Sequence, residues 1–253
     1  MKGFRVCGAP EALRLALDRI HVLMPVRGVL VGDEEFEVYI DGDLPALADV
    51  TVVPLRIPEA THTGLEQDRP IHVGQSILVR PPWVAAPRGF EGVELVVPRA
   101  MAFGSGEHGS TRAALTVMEQ ALSDAHRSLA DVGTGSGILA LYARARGCEE
   151  VAACDIEAAS AQAASELLPD AQVVTGGPSA IEGQFDAVVA NMRAAEILAC
   201  LPEILGLWNQ RGPLILSGLR ASEVAGVQVA AGVPIVHQVS VEGFTALVFA
   251  APG

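Results

Sequence analysis

Beyond residue 100 the hydrophobic pattern alternates between short apolar runs and longer segments with helical periodicity. The spacing predicts helices over 111–122, 138–146, 157–168, 194–208 and 221–231, and strands over 129–132, 150–156, 171–174, 185–191 and 213–217. Two closing strands, 235–241 and 244–250, are joined so tightly by Glu242-Gly243 that they form an antiparallel hairpin. Strands connected through helices run parallel. The expected architecture is therefore an α/β fold: a doubly wound, mostly parallel sheet with one reversed strand at its end.

The first part of the chain has a different rhythm. Phe4 to Cys7 reads as a strand, and Pro10 to His21 as a helix with Leu13, Leu17 and Ile20 on one face behind a leading proline. Arg27 to Val31, Phe36 to Ile40 and Val50 to Arg56 read as further strands. A strand, a helix and three more strands predict a small α+β, ferredoxin-like domain over residues 1–56. Residues 57–70 are polar and proline-flanked, as a linker is. His62 and His72 in and beside it are assigned no role. The second domain is expected over 71–253, opening with two strands, Ser76 to Arg80 and Val93 to Val97, that are placed to pair.

Composition narrows the class of molecule. Half of the 253 residues are apolar, yet no uninterrupted apolar run approaches the ~20 residues that span a bilayer, so a soluble, cytoplasmic protein is expected without membrane contact. Cys7, Cys148, Cys154 and Cys200 lack metal or disulfide spacing, which predicts free thiols and no metal site. A net charge of −13 opposes unassisted nucleic-acid binding, which needs cationic side chains against phosphates. A basic partner fits it better.

The candidate chemistry lies just after the strands, where open α/β sheets bind ligands. In Leu129-Ala130-Asp131-Val132-Gly133-Thr134-Gly135-Ser136-Gly137-Ile138-Leu139 a strand runs into a glycine-rich turn and then a helix. Gly133, Gly135 and Gly137 let a ligand approach the backbone, and their G-x-G-x-G spacing, distinct from the dinucleotide G-x-G-x-x-G, favours S-adenosylmethionine over NAD. Asp155 ends the next strand, where a carboxylate accepts hydrogen bonds from both ribose hydroxyls of a nucleoside. Asn191 ends the 185–191 strand and offers an amide donor and acceptor to a substrate amine or to the methionine end of the cofactor. Upstream, Met101 to Thr111 form a second glycine-rich loop before a helix, with Ser110 or Thr111 as its expected cap and His108 as a candidate catalytic side chain.

Together these stretches resemble the PrmA family of ribosomal-protein methyltransferases, which methylate the eleventh protein of the large ribosomal subunit. The resemblance rests on Met101 to Thr111, Asp131 to Leu139, Asp155-Ile156 and Val189-Ala190-Asn191, in that order after a small domain and a linker. It implies a seven-stranded class I methyltransferase domain that is monomeric and transfers methyl groups from S-adenosyl-L-methionine to amines of a basic ribosomal protein. It also implies that Thr111, Gly133, Asp155 and Asn191 contact the cofactor, with Gly135 in the same turn and with Phe103 and Gly104 lining the pocket. The N-terminal domain would hold the protein substrate. Ser105, Gly109 and Ser110 depart from the family loop, and Arg193 stands where an aliphatic residue is usual, a change that bears on substrate choice. Two rival readings are a class I enzyme acting on another protein or a small molecule, and a catalytically silent module that binds a ribosomal protein.

Overall fold

The computed structural model describes residues 2–24, 26–31, 35–40, 42–55, 69–98 and 106–250. The chain divides into two compact units, residues 1–67 and 68–253.

The first unit is built from β1 (Lys2–Gly8), α1 (Pro10–Leu23), β2 (Val26–Val31), β3 (Glu35–Ile40) and β4 (Val50–Leu55). Its strands pair antiparallel in the order β2-β3-β1-β4. β1 and β2 are thus a split βαβ pair with β3 between them, the ferredoxin-like arrangement, except that residues 42–49 connect β3 to β4 without a helix. Alternate strand positions Phe4, Val6, Phe36, Val38 and Ile40 meet Leu13, Ala16 and Ile20 of α1 in one apolar core. The two periods, 2 and 3.6, put these residues on facing surfaces.

The second unit opens with β5 (Ile71–Val73), β6 (Ile77–Arg80) and β7 (Val93–Val96), a small sheet in which β6 and β7 run parallel and β5 turns back antiparallel onto β6. There follow α2 (Gly109–Ala121), β8 (Ser128–Val132), α3 (Ile138–Ala145), β9 (Glu150–Asp155), α4 (Ala158–Leu167), β10 (Gln172–Thr175), β11 (Ala187–Asn191), α5 (Ala194–Ala199), α6 (Leu201–Leu207), β12 (Leu214–Leu219), α7 (Val224–Ala231), β13 (Ile235–Val241) and β14 (Phe244–Phe249). The seven-stranded sheet has the order β10-β9-β8-β11-β12-β14-β13, and β14 alone is reversed. Two apolar cores flank the sheet, one including side chains of α2 and α3, the other of α5, α6 and α7. Every residue of β8 is buried, which is why its apolar run shows no alternation.

Two expectations change. The helix predicted over 194–208 breaks at Cys200 into α5 and α6, because Pro202 has no N–H to donate to the preceding turn and its ring crowds that turn's carbonyl. α2 begins at Gly109, and its cap is His108, not Ser110 or Thr111: the Ser110 backbone N–H donates to His108 Nδ1. Among the described residues no helix is long and apolar enough to cross a membrane.

Candidate cofactor and active site

In this sheet the strand order reverses between β8 and β11, since the chain runs outward through β9 and β10 on one side and through β12 on the other. Such a switch point leaves a crevice at the carboxyl ends of the strands. A cavity of about 580 Å³ opens there, lined by His108, Gly133, Asp155, Asn191, Arg193 and Phe244, among other residues.

The glycine turn forms one wall. Gly133 adopts φ 68°, a left-handed backbone that favours glycine, and a Cβ on it would meet Met192 Sδ at 2.5 Å. The backbone N–H groups of Gly133 and Thr134 both donate to the Cys154 carbonyl, at 2.9 and 3.0 Å, which ties the turn to the end of β9. Beneath it Asp131 is fully buried. Its Oδ2 accepts from Thr134 Oγ1 at 2.7 Å and from the Ala140 N–H at 3.2 Å, while Oδ1 has no hydrogen-bond partner among the described residues. Burial outweighs those bonds and pushes its carboxyl up to about 6.

Asp155 stands at the lip of β9. Its Oδ2 accepts the Gly135 N–H at 2.9 Å and its Oδ1 the Glu157 N–H at 2.9 Å. Each carboxylate oxygen has two lone pairs, so acceptor capacity remains for a cis-diol. Beside it, Ile156 is 84 % exposed although β-branched and apolar, and it lines the cavity with Gly176, Gly177 and Pro178. This pairing of a diol acceptor with a bare apolar surface fits a nucleoside, the ribose on Asp155 and the base on Ile156.

Asn191 and Thr111 lie at the other end. Asn191 is half-buried at the end of β11, and its Nδ2 donates to Thr111 Oγ1 at 3.4 Å. Thr111 is fully buried and lies behind Asn191, off the cavity surface. Gly135 likewise sits behind Asp155 and presents its N–H to that carboxylate. His108 lines the cavity with its ring 4.4 Å from that of Phe244, and Nδ1 is 2.8 Å from Ser110 Oγ. The outer side of Phe244 carries the Arg220 guanidinium at 3.9 Å from the ring centroid, a cation–π contact. Phe103 and Gly104 lie outside the described residues. Cys154 also lines the cavity, and burial pushes its thiol up to about 12, so it contributes bulk and no nucleophile.

Met192, Glu196 and Phe244 line the cavity without having been singled out in the sequence, and Ile156, named there only as part of a motif, lines it too. Ile156 had a local signal, an apolar residue directly after a strand-terminal acid. Phe244 had none, because the hairpin that brings it to the cavity is a tertiary event.

A mostly parallel seven-stranded sheet with a reversed penultimate strand, a glycine turn at the switch point and an acid at the next strand end is the class I methyltransferase fold. Residues 60–250 match the family described as Ribosomal protein L11 methyltransferase (PrmA), and the chain belongs to that family. It is 32% identical over 233 residues to the ribosomal protein L11 methyltransferase of Myxococcus xanthus, covering 84% of this chain and 80% of the relative. The counterpart from Geotalea uraniireducens is 31% identical over 171 residues, 61% of this chain and 54% of that protein, so the match spans about half of that relative's length. Among solved structures, a ribosomal protein L11 methylase from Lactobacillus delbrueckii subsp. bulgaricus superposes with a TM-score of 0.67 at 27% identity, covering 73% of this chain and 99% of that one.

Proposed function

We propose that this chain transfers methyl groups from S-adenosyl-L-methionine to amine nitrogens of ribosomal protein L11, lysine side chains in the first place. The observation that carries the reading is the meeting of Asp155 and Asn191 at one cavity beside the glycine turn, in a member of this family. Bound S-adenosylmethionine supplies a methyl group already activated on a sulfonium. The protein's task is therefore alignment and desolvation.

Asp155 accepts the ribose hydroxyls, Ile156 covers one face of the base, and Gly133 leaves the backbone bare beside the cofactor. The Asn191 amide donates to the Thr111 hydroxyl, which leaves Oδ1 of this cavity-lining residue as the acceptor for the target amine. A lysine amine, with a free pKa near ~10.4, reacts only after losing a proton, and the apolar walls of Met192 and Phe244 favour the neutral form. His108 Nδ1 is engaged at the start of α2, 2.8 Å from Ser110 Oγ and accepting the Ser110 N–H. His108 thus shapes the wall, and the proton departs to water.

The first unit supplies protein recognition, since the described residues that line the cavity lie in the second. The net charge of −13 draws a basic target toward the enzyme. The chain works as a monomer in the cytoplasm and makes no direct contact with nucleic acid. Incubating it with labelled S-adenosylmethionine and a mixture of ribosomal proteins tests the reading: label is expected in L11, and label confined to other proteins would overturn the substrate assignment.

A further inference from the structure

The cavity wall carries a charge pair that has no part in the cofactor contacts proposed above. Arg193, at the start of α5, donates through both Nε and Nη2 to Glu196 Oε1, with Nε at 3.0 Å. Both residues line the cavity. Their side chains are 84% and 44% exposed, so solvent reaches the pair.

The two partners are not equally fixed. Glu196 Oε2 accepts the Arg193 backbone N–H at 3.0 Å, which anchors the carboxylate to the first turn of α5 whatever the guanidinium does. Glu196 stays ionised, its carboxyl held below the usual carboxylate range by the Arg193 hydrogen bond. Arg193 is tied only at the end of a long, exposed chain. Exposed ion pairs contribute little, so exchanging one cation for another on the same carboxylate costs little.

Resting on the functional reading above, we propose that Glu196 is a docking carboxylate for the cationic substrate and Arg193 its removable internal cap. An approaching lysine-rich segment of L11 takes Glu196 Oε1 from the guanidinium, and Arg193 swings into solvent. In the free chain the Arg193 charge is paired in place, so it recruits no acidic substrate. Arg193 and Glu196 together set the threshold for a cation to enter, and act on substrate affinity more than on the methyl-transfer step.

Steady-state kinetics with purified L11, at low and at physiological salt, test this through three variants. Arg193→Leu removes the cap and is expected to lower KM for L11 by about threefold, and Glu196→Gln to raise it by about fivefold, the scale of a single exposed ion pair. Glutamine retains an acceptor for the Arg193 N–H, so the helix start is kept, and thermal melting checks it. Once Glu196 is replaced there is no carboxylate left to cap and the 84% exposed Arg193 side chain lies in solvent, so removing it as well, in the double variant, is expected to leave KM at that of Glu196→Gln alone. All effects should shrink with salt. A double variant whose KM falls threefold below that of Glu196→Gln would show Arg193 acting as a plain repulsive charge and overturn the proposal. An unchanged KM in Glu196→Gln, or a change in S-adenosylmethionine affinity in its place, would overturn it as well. If the unmodified chain transfers no methyl group to L11, the functional reading itself fails and this inference with it; normal transfer with flat KM values overturns the inference alone.

Discussion

The Gly135 backbone N–H donates to Asp155 Oδ2 at 2.9 Å, so the glycine turn after β8 and the acid at the end of β9 are one hydrogen-bonded unit. Asp155 therefore shapes the turn in addition to the ribose contact proposed for it. Asp155→Ala is expected to weaken S-adenosylmethionine binding by roughly 1.5 to 3 kcal/mol, the range for hydrogen bonds to a charged group. Isothermal titration of the folded variant measures this, and unchanged affinity would remove Asp155 from the ribose site.

Asn191 separates a chemical from a structural role. The cap of α5 is Arg193, not Asn191, and the Asn191 amide reaches back to Thr111. Asn191→Ala is expected to cut single-turnover methylation by ~100-fold, as for oriented polar groups at reacting centres, while the melting temperature changes little. A destabilised variant with normal turnover would contradict the assignment.

Asp131 predicts a pH signature. Its carboxyl is raised to about 6 in the fold, so between the unfolded value near ~3.9 and that point the folded chain holds a proton the unfolded chain has lost. Stability from this group therefore falls as pH rises through that window and stays lower above it. The full effect is on the order of 3 kcal/mol at most. Asp131→Asn removes the titration. Denaturant unfolding of both proteins from pH 4 to 7 should show the variant gaining on the parent as pH rises; a pH-independent difference would contradict the raised value.

A division of work between the two units follows from the proposed function. The first has its own core of Phe4, Val6, Ile20 and Val38, and the described residues that line the cavity all lie in the second. Deleting residues 1–56 is expected to leave S-adenosylmethionine binding intact and abolish methylation of L11. Equal methylation by the shortened chain would refute this division.

Much of this fold was legible in the pattern of apolar positions, because β8, β9, β11 and β12 are mainly buried apolar runs with helices between them and the Glu242-Gly243 turn forces β13 and β14 to pair. What stayed hidden was set by tertiary contact or by competing local chemistry. Pro202 outweighed the apolar periodicity of 194–208 and split one helix into two. His108 took a capping place usually filled by a short hydroxyl or carboxamide side chain, with Phe244 packed on its ring. Asp155 and Asn191 were findable because strand-terminal polar residues stand out against apolar runs. Glu196 was not: on a helix it reads as one more solvated acid, and only the fold shows it at the cavity.

Methyl transfer to L11 leaves its record in the mass of L11 itself. Purified L11 should be incubated with this protein and S-adenosylmethionine and its mass compared with that from the Asn191→Ala variant. The account predicts a gain of whole methyl groups on amine nitrogens with the parent chain and far slower gain with the variant. An unchanged L11 mass, under conditions where calorimetry shows S-adenosylmethionine bound, would contradict it.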